Sequence, residues 1–478
     1  MSAALRIARE EWRLWLRSRM VVAAALIVAV LIAATGALTL DRLTTQAAQR
    51  AAQQEAAEAA FFAQPDRHPH RMVHYGHYSF RLPPPLAVFD PGVDAVTGQS
   101  IFLEGHRQNT AMFADAKASA NMGGFAALTP AALYQVLLPL LLIIIGHGVV
   151  LRERESGTLA VLLAQGQSGL ALASGKALAL LGVVAVFMAP LAVLAAYGVA
   201  AGEAVGPALA LVASYGLYLM VWAALVLAVS TWVRSRSAAL GVLAACWLAM
   251  VLVVPRIGIN AAATLVDAPG KIESDLVMLA EERKLGDGHN ASDPAFEQLK
   301  QDLLDQYGVG TVEELPINFR GVVATYSEEK LTRLLNEFAE RRLKSEARQS
   351  EVFGAFALAS PTLAVGAASR ALAGTDLATH HRFLREAEVV RFGFVQALNE
   401  MHATKLTYAD DARRSVDPEA EARTRVNAEA WRVLDTFRFA PDAPQTRIAR
   451  AFGPLALLMG WLAALAAMIA LAARRLTP

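Results

Sequence analysis

Residues 151–176 read LRERESGTLAVLLAQGQSGLALASGK, a short polar island between two long apolar runs. Arg152, Glu153, Arg154 and Glu155 alternate in sign. Gly157-Thr158 follow, then an apolar helical patch, then Gly175-Lys176 where the next apolar run begins. Lipid gives no reason for such an interruption. The order of charges before apolar residues suits a surface on which another protein presses. The arginines place the island on the cytoplasmic side.

Working outward, a membrane span needs about 20 mostly apolar residues. Stretches 20–40, 128–150, 177–202, 204–233, 237–266 and 450–473 qualify. The chain is 55% hydrophobic and 18% charged, against about 25% charge in a soluble domain. Net charge is +1, which gives no basis for nucleic-acid binding. The single cysteine, Cys246, excludes an intrachain disulfide and a cysteine-based metal site. Abundant alanine and arginine over lysine point to a GC-rich bacterial source.

Arg6, Arg9, Arg13, Arg17 and Arg19 precede the first span. Arg152 and Arg154, Arg234 and Arg236, and Arg474 and Arg475 flank later ones. All fall on one side if both termini are cytoplasmic, which predicts a multi-pass protein of the bacterial inner membrane. The run at 20–40 is longer than a signal-peptide core and lacks a clean cleavage site, so it reads as an uncleaved anchor. Within 1–19, Leu5, Ala8, Trp12, Trp15 and Leu16 share one helical face. They predict an amphipathic helix in the interface, with the tryptophans at headgroup depth.

Two segments are then extracytoplasmic. Segment 41–127 begins as a continuation of the first span, to about Phe62, and turns irregular at its prolines and glycines. Segment 267–449 shows helical periodicity at 272–285, 294–307, 322–356, 376–403 and 418–437. It reads as a compact helical domain on two membrane stalks.

The run Glu153-Arg154-Glu155-Ser156-Gly157-Thr158-Leu159, with Gly175-Lys176 at the next span, resembles the coupling segment of ABC-2 type transporter permeases. Residues 74–78 (HYGHY), 89–93 (FDPGV) and 102–109 (FLEGHRQN) narrow the likeness. They resemble a subgroup with a large helical domain of unknown function before the last span, related to the permease of nitrous-oxide-reductase maturation. The resemblance covers nearly the whole chain. It implies an all-α integral membrane protein of six transmembrane helices, type V (ABC-2) exporter-like. It also implies that the island docks in a groove of a separate ATPase subunit, and that the permease pairs with a second copy or a similar chain. Arg152, Glu153, Arg154, Glu155, Gly157, Thr158, Leu159, Leu162, Gly175 and Lys176 are the coupling candidates. Val161 and Leu163 extend the apolar face. Arg152 and Arg154 are expected to pair with acidic groups of a partner or with lipid phosphate.

No ATPase is expected in the chain itself. A phosphate-binding loop needs G-x-x-x-x-G-K-[ST], but Ala177 follows Lys176 and Leu170 stands where the first glycine belongs. ATP and magnesium are therefore assigned to the partner, and no cofactor to this chain. His68, His70, His74, His77 and His106 crowd the first exported segment. Two readings stand for them: a metal site, since imidazoles are good Cu, Zn or Ni ligands, or loop histidines that cap turns. His147, an intramembrane ionisable residue, is a conformational candidate. Tyr134, Gln135, Ser214, Tyr215 and Tyr218 either line a polar path between protomers or serve helix packing. Pro139, Pro190 and Pro255 are expected to kink their helices.

The leading function is the membrane subunit of an ATP-driven transporter. The alternative is a mechanotransmission permease that moves its periplasmic domain against a periplasmic partner. An intramembrane enzyme would need clustered catalytic groups, and only His147 and Cys246 are on offer.

Overall fold

A computed structural model describes residues 2–112 and 128–475. The end of the first segment between spans, 113–127, lies outside the described residues. Helix α1 (Ala3–Arg17) starts at a Ser2 N-cap. Arg19, at φ 58°, turns the chain into α2 (Met20–Phe62), one unbroken helix of 43 residues. Its apolar first half crosses the membrane and its Ala/Gln/Glu second half continues beyond. A short helix α3 (Pro69–Tyr75) and a two-stranded antiparallel ribbon follow, β1 (His77–Phe80) against β2 (Ser100–Leu103), with His77 opposite Leu103.

Span two, α4 (Pro130–Glu155), and span five, α8 (Arg236–Leu265), are composite. Each contains a wide π-type turn, Leu133–Leu137 and Leu248–Val253. Each wide turn ends just before a proline, Pro139 or Pro255. A proline has no N–H and crowds the carbonyl four residues back, and the extra residue in the turn makes room for it. Between these spans lie α5 (Thr158–Ala164), α6 (Gly169–Ala200) and α7 (Val205–Trp232). In their most apolar stretches, 56% of the residues of spans two and four are buried, against 17% in spans five and six. The former are the centre of the bundle and the latter its lipid-facing or partner-facing rim.

Beyond α8 come α9 (Lys271–Glu282), α10 (Glu297–Tyr307), α11 (Phe319–Ala355), α12 (Pro361–Ala373) and α13 (Leu377–Lys405). The last span is α14 (Pro444–Arg474). Apart from the ribbon, the described residues form an all-α membrane protein.

Two packing results go beyond hydropathy. First, the segments on either side of spans two to five share one core. Phe61, Met72, Val73, Ile101 and Leu103 pack with Phe383, Phe394, Leu398 and Trp431. Second, α12 belongs to the transmembrane cluster rather than to the domain around it. Ser345 Oγ donates to Asp267 O beside the end of α8, and Ser360 Oγ donates to Met250 O at that span's midpoint. At 1.5 Å per residue the chain thus dips about 20 Å along α8 before α12 climbs back. Ala364, Val365, Ala368, Ala371 and Leu372 are buried there among spans.

At the top of α12, Arg447 forms a two-pronged ion pair with Glu203, at 2.7 and 3.0 Å, and donates to Leu372 O. Both side chains are nearly fully buried. The pair locks the turn between spans three and four to the re-entrant helix and to span six.

Candidate functional site

The polar island forms a hub with an exposed knob. Leu151 through Glu155 make one helical turn and a half, so residues of alternating sign diverge to opposite sides. Arg152 Nη2 donates to Glu11 of α1 at 2.7 Å. Lys176, at the start of span three, bonds both Glu11 and Glu153. Glu11 and Lys176 are each about 1% exposed. On the other side Glu155 accepts from the Arg236 backbone N–H at 2.8 Å and from its guanidinium, at the N-terminus of span five. A carboxylate is favoured there by the helix dipole. Arg154 donates to Thr231 O and Val233 O, the orphan carbonyls that end span four.

Four consecutive residues therefore tie span two to α1 and to spans three, four and five. Where a partner or lipid phosphate was expected for Arg152 and Arg154, both also bond groups within the chain. Glu11 was missed because, in a helix of arginines, nothing marks one of two adjacent glutamates as the buried one.

Gly175 serves packing. A Cβ there would lie 2.7 Å from the Ile7 Cβ and 2.9 Å from the Ala4 carbonyl, so α1 lies on span three at glycine distance. Trp15 is buried and Trp12 packs over Gly182, so this face rests on protein. Leu5, Leu14 and Leu16 remain exposed.

The knob itself is α5. Gly157 and Gly166, at φ 75° and 82°, bracket it in the left-handed region that favours glycine. Leu159 is buried and anchors it, Leu162 and Leu163 are half-buried, and Val161 is 54% exposed. Thr158 Oγ1 donates to Glu153 O, which fastens the knob to the hub.

The intramembrane polar residues meet as a hydrogen-bonded chain. Gln135 donates to Tyr215 Oη at 2.8 Å, Tyr215 to Ser369 Oγ at 3.1 Å, and Ser369 to Asp90 Oδ2 at 2.5 Å. Tyr218 donates to Gln135 O and meets Thr362 Oγ1. Tyr134 donates to Phe187 O and accepts from Leu191 N–H. Its hydroxyl thus sits in the ladder of span three beside Pro190, where a helix is free to open. Ser214 bonds within its own helix. Among the described residues, His147 bonds carbonyls of its own helix, at Ile143 and Ile144.

The histidines of the 41–127 segment divide into three groups. His77 contacts Gln54 and Phe61, and burial pushes it down to about 4. His68 accepts the His70 N–H and, with His402, bonds Asp411, at 3.2 and 2.7 Å. Burial and neighbouring charges hold His68 down to about 4; Asp411 stays well below the usual carboxylate range because imidazole bonds outweigh its burial. His70, His74 and His106 come together with His289, from 183 residues further along the chain. One nitrogen from each of the four lies within 4.8 Å of the others. His289 went unread because only folding brings its loop here.

The fold defines a multi-pass membrane subunit with an exposed knob on a charged hub shared by its helices. Residues 5–307 match the family described as ABC-2 family transporter protein, so the chain belongs to that family and is a transporter permease subunit. Residues 275–440 match a domain of unknown function, DUF3526. A search of curated proteins finds no match to the chain.

Proposed function

We propose that this permease is driven by a separate ABC ATPase that presses on the knob at 157–166. The knob, α1 and the arginine-rich ends then lie in the cytoplasm, and the domain around α11 and α13 lies in the periplasm of a bacterium. The observation that carries this reading is the hub. A push on α5 reaches α1 and spans two to five through Arg152, Glu153, Arg154 and Glu155. The apolar, exposed Val161 suits a protein groove better than water. The weakly buried rim of spans five and six suits a second permease copy. Substrate export or translocation is the work such a dimer does.

The test places a photo-crosslinking amino acid at Val161 in native membranes. The expected adduct is a protein with a nucleotide-binding loop, and ATP should change its yield. Adducts with lipid alone, or with no ATPase, refute the proposal. A mechanotransmission role has its own support: α2 runs unbroken from the membrane into the far-side core at Phe61. ATP-dependent movement of that domain without solute flux in vesicles is the outcome that favours it.

A further inference from the structure

We infer that the far-side domain holds a divalent metal ion of the zinc type on His70, His74, His106 and His289. The inference stands apart from the proposed ATPase coupling. It begins with the local sequence. His70 and His74 lie four apart on α3 and so share one helical face. His106 follows β2 in the turn Glu104–Arg107, and His289 sits in the loop before α10.

The distances fit tetrahedral coordination. A zinc–nitrogen bond of 2.0–2.1 Å sets ligand nitrogens about 3.3 Å apart. His74 Nε2 lies 3.2 Å from His70 Nε2 and 3.4 Å from His289 Nε2.

Carboxylates stand behind two of the rings rather than between them. His106 Nδ1 bonds Glu328 at 2.9 Å and His289 Nδ1 bonds Asp287 at 3.2 Å. Each bond fixes the proton on Nδ1 and leaves Nε2 as a bare lone pair, the arrangement that orients metal-bound histidines. His106 Nε2 is buried and has no hydrogen-bond partner among the described residues. Two such lone pairs among four converging ring nitrogens suit a Lewis acid. Glu328 is itself held by Arg391 at 2.6 Å, so the support is rigid.

The backbone is also shaped for this. His106 is one of two non-glycine residues with positive φ among those described, at 62°. That conformation is strained for a side-chain-bearing residue. Glu328 holds it there by accepting the His106 N–H as well, at 3.2 Å. In the opposite loop, the His289 N–H bonds Asp287 Oδ1 in an Asx turn. A Cβ on Gly288 would meet Ser327 Oγ at 2.3 Å, so glycine lets this loop close on α11. His106 and His289 line an open cleft of about 490 Å³, which gives an ion a way in.

The neighbouring trio of His68, His402 and Asp411 differs. There the carboxylate is in the middle, and it already accepts from both imidazoles, Asn318 and Arg414. It needs no ion. The four-histidine centre joins α3 and the His106 turn to the loop of His289, so the bound ion staples the segment before span two to the one after span five.

The test uses the full-length chain purified in detergent without a polyhistidine tag and stripped by chelation. Zinc is titrated against a competing chelator, and cobalt(II) is added separately as a spectroscopic probe. One zinc per chain is expected, with the intense visible bands of tetrahedral cobalt. His289 is half exposed, at 52%, so His289→Ala should melt like the unaltered protein yet bind zinc at least about a hundredfold more weakly. Asp287→Asn, which alters the group holding the ligand's far nitrogen and its backbone N–H, should weaken binding about tenfold. His77→Gln should bind as the unaltered chain does. Equal zinc affinity in the unaltered chain and His289→Ala overturns the site, as does octahedral cobalt or an equal loss in His77→Gln.

Discussion

Replacing Lys176 by Met keeps a long apolar stem at the hub and removes one of the four charges linked through Glu11: Glu11, Arg152, Glu153 and Lys176. The ammonium lies between Glu11 and Glu153, whose side chains are 2% and 16% exposed. Removing one member of a buried pair leaves an uncompensated charge and costs about 3–5 kcal/mol. Arg152 still faces Glu11, but its side chain is 34% exposed, so it compensates only in part. The loss should therefore fall near the lower end, about 3 kcal/mol. Adding Glu153→Gln removes the second acid and leaves the Glu11–Arg152 pair balanced, so the double variant should recover about 2 kcal/mol of this. The assay is equilibrium unfolding in mixed micelles, read by labelling of Cys246. That thiol is the chain's only one and is half-buried in span five, so its exposure reports the bundle itself. A single variant within about 0.5 kcal/mol of the unaltered protein refutes the reasoning. So does a double variant less stable than the single.

Glu203→Ala strands Arg447 beneath the turn of spans three and four and should cost about 3–5 kcal/mol in the same assay, whereas an exposed pair would cost under about 1. Tyr134→Phe removes the hydroxyl inserted beside Pro190; Leu191 N–H can then return to Phe187 O, so the loss should be only about 1 kcal/mol. His77 is neutral in the fold, down to about 4 against 6.5 in the open chain. The unfolded chain therefore takes up the proton first, and stability is lost as pH falls from 6.5 toward 4, by up to about 3 kcal/mol. Glu58 and Arg438 face it with opposing effects. His77→Gln should flatten that pH profile of thermal unfolding, and an unchanged slope would exclude His77 as its source.

Hydropathy made the spans legible because lipid imposes one requirement on every residue of a span. The continuation of α2 to Phe62 was legible too, since no proline or glycine interrupts its later half. The charged island stood out by contrast with its neighbours, but its pairing did not. Nothing local distinguishes Glu11 from Glu10, and burial of one depends on Lys176, far along the chain. Helix α12 escaped notice because 13 residues are too few to span and charged stretches flank them. The histidines show the same limit. An i, i+4 pair on α3 can be read from spacing, but His289 joins it through a long-range core that residues on both sides of the bundle build together.

Helix α2 has a mechanical consequence. Its 43 residues make a rod about 65 Å long with no break. Phe61 stands about 45 Å from the middle of the membrane-crossing part. A tilt of about 5° there, small enough to leave side-chain packing in place, sweeps Phe61 sideways by about 4 Å. A single residue inserted beyond the membrane would turn everything above it by about 100°, more than a quarter of a revolution. The length of this rod is thus a gear ratio, fixed residue by residue.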